Sequence, residues 1–408
     1  MNLEEFPASD PEFWSHPEQF LEHSRATCPV TKLPGDAGYI MTRYDDVRAA
    51  SVRVKEFSSN RPGFGQDDPE LAAIAAQGLP EVATITTNDP PVHTRYRKLV
   101  NKAFTPEVVE GLEPKIRRLA DDVFDSVAAT GEMDFVGDFA EVLPTMVMSD
   151  ALGIPYSMRQ TFRTWSDNIV DMIAADMVLT PERRRECRRS YVEFQHYFAD
   201  LIEERRDEPS DDMISQLVGA RLNGERSLDV PELLDIIRIL LVAGNDTTTN
   251  LLGGGLLALL DNPDQLAAVQ ADRMLIPQMI EEALRYVSPA RWTIRVVADS
   301  GVEVAGCPIP AGEIARLAWG SANRDETRFP DADKFDIFRD SSAHMAFGHG
   351  VHFCIGKDLA RSEARIAFEA LFDHFGDFEL TVPRAELQPL PVPGINRLNK
   401  LPIRFRVK

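Results

Sequence analysis

Phe347-Gly348-His349-Gly350-Val351-His352-Phe353-Cys354-Ile355-Gly356 holds the residues with the most chemistry in the least space. One cysteine stands in a glycine-punctuated turn directly ahead of an amphipathic run, 357–375, whose apolar positions Leu359, Ala360, Ala364, Ala367, Leu371 and Phe375 recur at helical spacing. Backbone N–H groups of Ile355 and Gly356 and the positive end of the helix dipole would stabilise Cys354 as a thiolate, the form that binds a metal. Glycines 348, 350 and 356 let the backbone approach a flat partner where a side chain would collide. A free cysteine by itself is usually a small buried hydrophobe, but the fixed positions around this one argue for a ligand.

Two further constellations stand upstream. Ala243-Gly244-Asn245-Asp246-Thr247-Thr248 interrupts the longest apolar stretch of the chain. Glycine inside a helix costs about 1 kcal/mol against alanine, and threonine can bond back to the preceding turn and bend the axis, so the helix is weakened where the pattern calls for core. Alone, this is a bulge with a solvated acid. Glu282-Ala283-Leu284-Arg285 has i, i+3 spacing, which alone describes an exposed ion pair worth a few tenths of a kcal/mol.

Taken together and in this order, F-x-x-G-x-x-x-C-x-G, [AG]-G-x-[DE]-T-T and E-x-x-R resemble the signatures of the cytochrome P450 superfamily, with matching features from residue 89 to 356. The resemblance implies a mainly α (α+β) P450 fold in one domain, 1–408, and haem b (iron protoporphyrin IX) with Cys354 as the axial metal ligand. It places Phe347, Gly348 and Gly356 around that cysteine and Ala243 and Gly244 against the haem face. Thr247 would stand beside bound dioxygen, with Asp246 in the proton path as the other catalytic residue. Splitting O–O needs two protons delivered while free water is held back, and a hydroxyl that both donates and accepts suits that task. His93, Arg97, Arg295 and His352 match positions that bind the haem propionates. Glu282 and Arg285 would lock onto 323–335, a structural role. By analogy the substrate pocket is lined by 79–87, 168–179, 239–243, 287–294 and 393–395, rich in Val, Ile, Met and Ala and including Trp292. The implied activity inserts one oxygen atom from O2 into an apolar organic substrate. Electrons would come from a ferredoxin and an NAD(P)H reductase. An H2O2-dependent peroxygenase would not need the Asp246-Thr247 relay, and a haem-thiolate sensor would not need the pocket.

These residues need particular elements to hold them. From about 229 to 263 the chain is nearly all apolar, with start signals at one end and proline at the other, which predicts a buried helix of roughly 48 Å at 1.5 Å per residue. Asp89-Pro90-Pro91 opens a helix carrying His93 and Arg97, and Thr105-Pro106 opens another. Strands are expected at 38–42, 293–298, 302–308 and 401–407, and a turn at 58–63.

The 408 residues show no linker or repeat. A formal charge of −21 argues against nucleic acid and anionic membrane surfaces as partners. The N-terminal 1–7 is acidic without an apolar leader, and no run reaches the length of a membrane span. Four widely spaced cysteines fit a reducing compartment. A soluble, cytoplasmic monomer is expected. Against the acidic background, Arg95, Arg97, Lys98 and Lys102 fall on one predicted helix and Lys357, Arg361 and Arg365 on another. The second group should make the Cys354 side locally positive and dock an acidic ferredoxin.

Overall fold

A computed structural model describes residues 13–14, 16–35, 37–60, 68–222, 224, 226–390 and 394–408, with side chains left undescribed at 173–178. Pro393, residues 61–63 of the expected turn and the acidic 1–7 lie outside the described residues. The backbone groups into two compact units.

The first unit comprises 1–59, 113–144 and 246–408. Its larger sheet has five strands in the order Val30–Lys32, Tyr39–Met41, Ile314–Leu317, Thr293–Val297 and Phe57–Ser58. Tyr39–Met41 runs parallel to Ile314–Leu317, and the other neighbours are antiparallel. The expected strand at 302–308 is a hairpin, Val302–Val304 with Cys307–Ile309. Its two turn residues, Ala305 and Gly306, both have positive φ (49° and 78°), as a tight turn matching the strand twist requires. A third sheet pairs Pro402–Val407 with Glu132–Asp134 and Phe375–Leu380.

Helices Ile276–Val287 and Lys357–His374 carry the core of this unit. Arg285 and Glu282 are completely buried in it. Arg285 donates to both Glu282 oxygens (2.7 Å each) and to the carbonyls of Asn323 (2.9 Å), Ala332 (2.7 Å) and Lys334 (2.9 Å). Those bonds use all five N–H donors of a guanidinium. Glu282 in return accepts from Asp336 N (2.9 Å) and Ser341 Oγ. The pair is therefore a clamp on 323–341, not a surface bridge.

The long helix runs unbroken from Val230 to Leu260. Its 246–260 part belongs to the first unit, where Gly253, Gly254 and Gly255 form a seam that sequence reasoning passed over. A Cβ on Gly254 would meet Val287 Cγ1 at 2.7 Å, and one on Gly253 would meet Val136 Cγ2 at 3.1 Å. The strip is bare because two elements press directly on the helix backbone.

The second unit, 60–112 with 145–245, is helical. Helices Arg159–Val178 and Pro181–Asp207 meet through Phe162, Trp165, Phe194 and Phe198. Gln195 accepts from Leu79 N and donates to Leu79 O, both at 3.1 Å, which fixes the start of the 79–87 segment as a paired strand would. Helix Val92–Val100 is held by buried Glu232, which accepts from Tyr96 Oη (2.8 Å) and pairs with Arg95 (3.2 Å).

Candidate active site

In the first unit, Cys354 closes a tight loop. Gly348 and Gly350 have φ of 72° and 78°. A Cβ at Gly350 would lie 2.6 Å from the carbonyl oxygen of Ser51, so only glycine fits between this loop and helix Tyr44–Val52. Phe353 N donates to Gly350 O (3.1 Å) and Cys354 N to Phe347 O (2.9 Å), which turns the chain so that Gly356 becomes the N-cap of helix Lys357–His374. The Cys354 thiol is partly buried, and Cys28, Cys187 and Cys307 are free thiols elsewhere. The Arg361 guanidinium lies 4.6 Å above the Phe347 ring, which fixes the start of the loop.

The same unit contains Arg295 and His352. Arg295 is buried on strand Thr293–Val297 and donates to Ile294 O (2.8 Å) and Thr293 Oγ1 (3.1 Å). His352 Nε2 lies 2.9 Å from Ser59 Oγ. His349, three residues before it, has its imidazole pKa lowered by burial and by the charge of Arg48. The other two expected cations belong to the second unit, on helix Val92–Val100, with His93 buried and Arg97 partly so one turn later.

The interrupting motif on the long helix divides by face. Leu240 and Leu241 before it and Leu251 and Leu252 after it are buried, whereas Ala243 is exposed and Gly244 and Thr247 are partly exposed. These three positions are one and four residues apart and share a side of the helix. Asn245 faces away, donating to Ser166 Oγ at 3.0 Å. Asp246 is buried, with Oδ1 3.8 Å from Arg397 Nη1, and Thr249 Oγ1 donates to Ala140 O at 2.9 Å. The helical hydrogen bonding persists through the motif, so the expected weakening leaves no break in it.

Several expectations change. Trp292 does not serve an apolar pocket: its ring packs edge-on against Trp14 at 4.8 Å, and the neighbouring Arg291 donates to Trp14 O and, at 3.2 Å, to Asn396 Oδ1. Asn168, in another expected lining segment, is occupied with Ser190 (2.7 Å) and Arg183 (2.6 Å). The basic group on helix Lys357–His374 is cancelled locally. Arg361 pairs with Glu281 (2.7 Å), Arg365 with Glu113 (2.6 Å) and Glu369 (3.1 Å), and Lys357 with Asp358. Burial raises the Glu281 carboxyl, but the Arg361 and His344 hydrogen bonds and charges outweigh it and hold the pKa down to about 2. The other basic group is not on one helix: Arg95 lies on helix Val92–Val100 and is bound to Glu232, whereas Lys102 lies on the following 3-10 turn Asn101–Phe104 and donates to Arg221 O.

Comparison with known proteins agrees along most of the chain. The family model described as Cytochrome P450 matches residues 32–395. Cytochrome P450 107B1 of Saccharopolyspora erythraea is 40% identical over 393 residues, covering 92% of this chain and 91% of the relative. The vitamin D(3) 25-hydroxylase of Pseudonocardia autotrophica is 36% identical, covering 96% and 94%. The structure of CYP109Q5 from Chondromyces apiculatus superposes with a TM-score of 0.86 at 37% identity, covering 98% of each chain. A glycine-bound cysteine loop ahead of a helix, a buried Glu-Arg clamp, and this breadth of likeness in sequence and fold have one explanation: the chain belongs to the cytochrome P450 family, a monooxygenase with haem b as its cofactor.

Proposed function

We propose that this monooxygenase oxidises an apolar, multi-ring or macrocyclic molecule, with Cys354 as the thiolate ligand of the haem iron and Thr247 and Asp246 as the proton-handling pair. The observation that carries the reading is the divided face of the long helix: small and hydroxyl-bearing side chains accessible at 243, 244 and 247, with a buried carboxylate at 246.

The residues fit the cofactor. Cys354 stands in a loop that turns through positive-φ glycines at 348 and 350, with Phe347 and Gly356 at its two ends. Arg295, His352, His93 and Arg97 are the groups that would meet the propionates, since buried carboxylates are costly without partners. Ala243 and Gly244 would lie against the ring. Bound haem supplies dioxygen activation and oxygen insertion. The chain supplies the rest. Thr247 Oγ1 accepts a proton on one side and donates on the other, Asp246 moves the proton to it, and the buried leucines on either side of the motif hold bulk water away.

Support for the substrate class comes from relatives. One is a 6-deoxyerythronolide B hydroxylase, 35% identical over 93% of this chain, one acts on vitamin D(3), and a neighbour at TM-score 0.84 is solved with corticosterone. We place electron delivery by a ferredoxin and its NAD(P)H reductase at the Cys354 side and read residues 1–408 as one P450 domain, a cytoplasmic monomer. No described helix is long and apolar enough to cross a membrane. The test is a spectral titration of the holoenzyme with macrolactones, steroids, fatty acids and small aromatics, followed by mass analysis of turnover products. Spin-state shifts and singly oxygenated products from the first two classes are expected. Binding confined to fatty acids or small aromatics overturns the substrate class, and turnover that runs on H2O2 but not on NAD(P)H and O2 overturns the proton-relay reading.

A further inference from the structure

Among the described residues, Asp246 is joined with two other charged residues from distant parts of the chain. Arg397 places Nη1 3.8 Å from Asp246 Oδ1 and Nη2 3.0 Å from Glu141 Oε1. The three side chains are 12%, 20% and 17% exposed for Asp246, Arg397 and Glu141. The two contacts differ in kind: the one to Glu141 is a hydrogen-bonded ion pair, whereas the one to Asp246 is too long for a hydrogen bond and is Coulombic. Both partners are fixed by their backbones. Thr249, on the long helix one turn beyond Asp246, bonds the carbonyl of Ala140 at 2.9 Å and so holds the residue before Glu141 to that helix. Arg397 O accepts from Leu390 N (2.7 Å), and the adjacent Asn396 is bonded to Pro289 O (3.0 Å) and Val287 O (2.7 Å).

We propose that Arg397 and Glu141 are positioning residues for the proton donor, with Arg397 holding Asp246 in place and Glu141 retaining Arg397 so that Asp246 can take up and release a proton. The proposal rests on the monooxygenase reading and on Asp246 as the proton-handling acid. A guanidinium with Asp246 as its sole partner would favour the carboxylate so strongly that reprotonation would be rare, and each protonation would leave a shielded cation uncompensated. With Glu141 present, Arg397 keeps its counter-charge in both states. The proton balance is simple. Asp246 gives one proton toward Thr247 and regains one from water, and the trio alternates between neutral and singly negative. Arg397 reaches Asp246 from the C-terminal segment, and Glu141 stands behind Arg397 just before helix Val142–Ala151.

This arrangement makes the two neighbours act in opposite directions, which a merely structural role would not. Arg397→Gln removes the cation and leaves Glu141 nearby, so Asp246 should bind its proton about tenfold more tightly. Glu141→Gln releases Arg397 to Asp246, so proton binding should weaken severalfold and reloading should slow. The primary measurement is the pH dependence of the protonated-carboxyl infrared band of the resting holoenzyme, assigned to Asp246 by its loss in Asp246→Asn. The second is the solvent deuterium isotope effect on turnover, expected to grow in Glu141→Gln, and Arg397→Lys should return both readouts toward wild type. Glu141→Gln is close to isosteric and carries the test if Arg397→Gln does not fold. Shifts of equal sign in the two variants, or none, overturn the proposal while leaving the reaction class intact. Unchanged turnover in Asp246→Asn would instead remove Asp246 from the mechanism, and this proposal with it.

Discussion

At the scale of single residues, on the helix that follows Cys354 a carboxyl pulls against its surroundings. Glu363 is buried on helix Lys357–His374, its Oε2 has no hydrogen-bond partner among the described residues, and burial pushes its pKa well above the ordinary 4.5. Below pH 4.5 the carboxyl is neutral in both folded and unfolded chains and costs nothing. As pH rises, the unfolded chain ionises first, so stability falls by about 1.4 kcal/mol per pH unit until the folded carboxyl ionises too. Glu363→Gln should therefore gain on wild type as pH rises from 5 to 8 in urea-unfolding midpoints, and parallel pH profiles would show that Glu363 is solvated. Cys354 and Thr247 give sharper outcomes. Cys354→His should lose the strongly red-shifted CO-bound Soret band of thiolate ligation, whereas alanine at Cys28, Cys187 or Cys307 should keep it. Thr247→Ala should still bind substrate and consume NAD(P)H but release much of the oxygen as peroxide. Full coupling in that variant would take Thr247 out of the proton path.

At the scale of elements, the chain is joined by its clamps. The Glu282–Arg285 pair ties helix Ile276–Val287 to 323–341, the stretch just before the cysteine loop, and its cost of desolvation is offset because every guanidinium donor is used. Arg285→Ala would strand a buried carboxylate and three carbonyls, a loss of about 3 to 5 kcal/mol. Replacing both members with alanine should cost less than the sum of the single variants, because no charge is then left alone. A thermal-melt double-mutant cycle on the haem-loaded protein measures this, and strict additivity would mean that the two act separately. The glycine seam of the long helix answers to packing alone. Gly254→Ala drives a methyl to 2.7 Å from Val287 and should cost about 1 to 3 kcal/mol.

At the scale of the whole molecule, a formal charge of −21 must be reconciled with the acidic ferredoxin proposed as electron donor. The cations of helix Lys357–His374 are spent on Glu281, Glu113, Glu369 and Asp358. The surface beside the loop also offers Val351 and Val52, 41% and 53% exposed, and a Cβ at Gly350 would lie 3.4 Å from Val52 Cγ1. Docking there is expected to be apolar in its main contact. Added salt, which screens over about 10 Å at 0.1 M, should leave ferredoxin-driven turnover level or raise it as overall repulsion fades. Val351→Glu should increase the half-saturating ferredoxin concentration severalfold with no change in the CO-bound spectrum. Equal ferredoxin dependence in wild type and Val351→Glu would move the electron entry point elsewhere.

Much of this was legible in the linear chain because it rests on short-range physics. Helix Val230–Leu260 follows from an apolar run with proline beyond its end, and helix Lys357–His374 from its periodicity. The Cys354 loop follows from glycines that must take positive φ. The Glu282–Arg285 spacing marked a pair, and only comparison with a known pattern, since met by the geometry, lifted it out of the surface class. Pairing between distant residues was not legible. Arg361 finds Glu281 eighty positions away, Trp292 turns to Trp14, and Arg397 reaches Asp246 from the far end of the chain. The strand order that sets Tyr39–Met41 beside Ile314–Leu317 belongs to the same class. Propensity, capping and turn chemistry act over a few residues and so are written in local sequence. Which charge cancels which, and which side chain leaves a pocket to join a core, depends on packing among segments whose separation along the chain carries no signal, and the tertiary structure alone decides it.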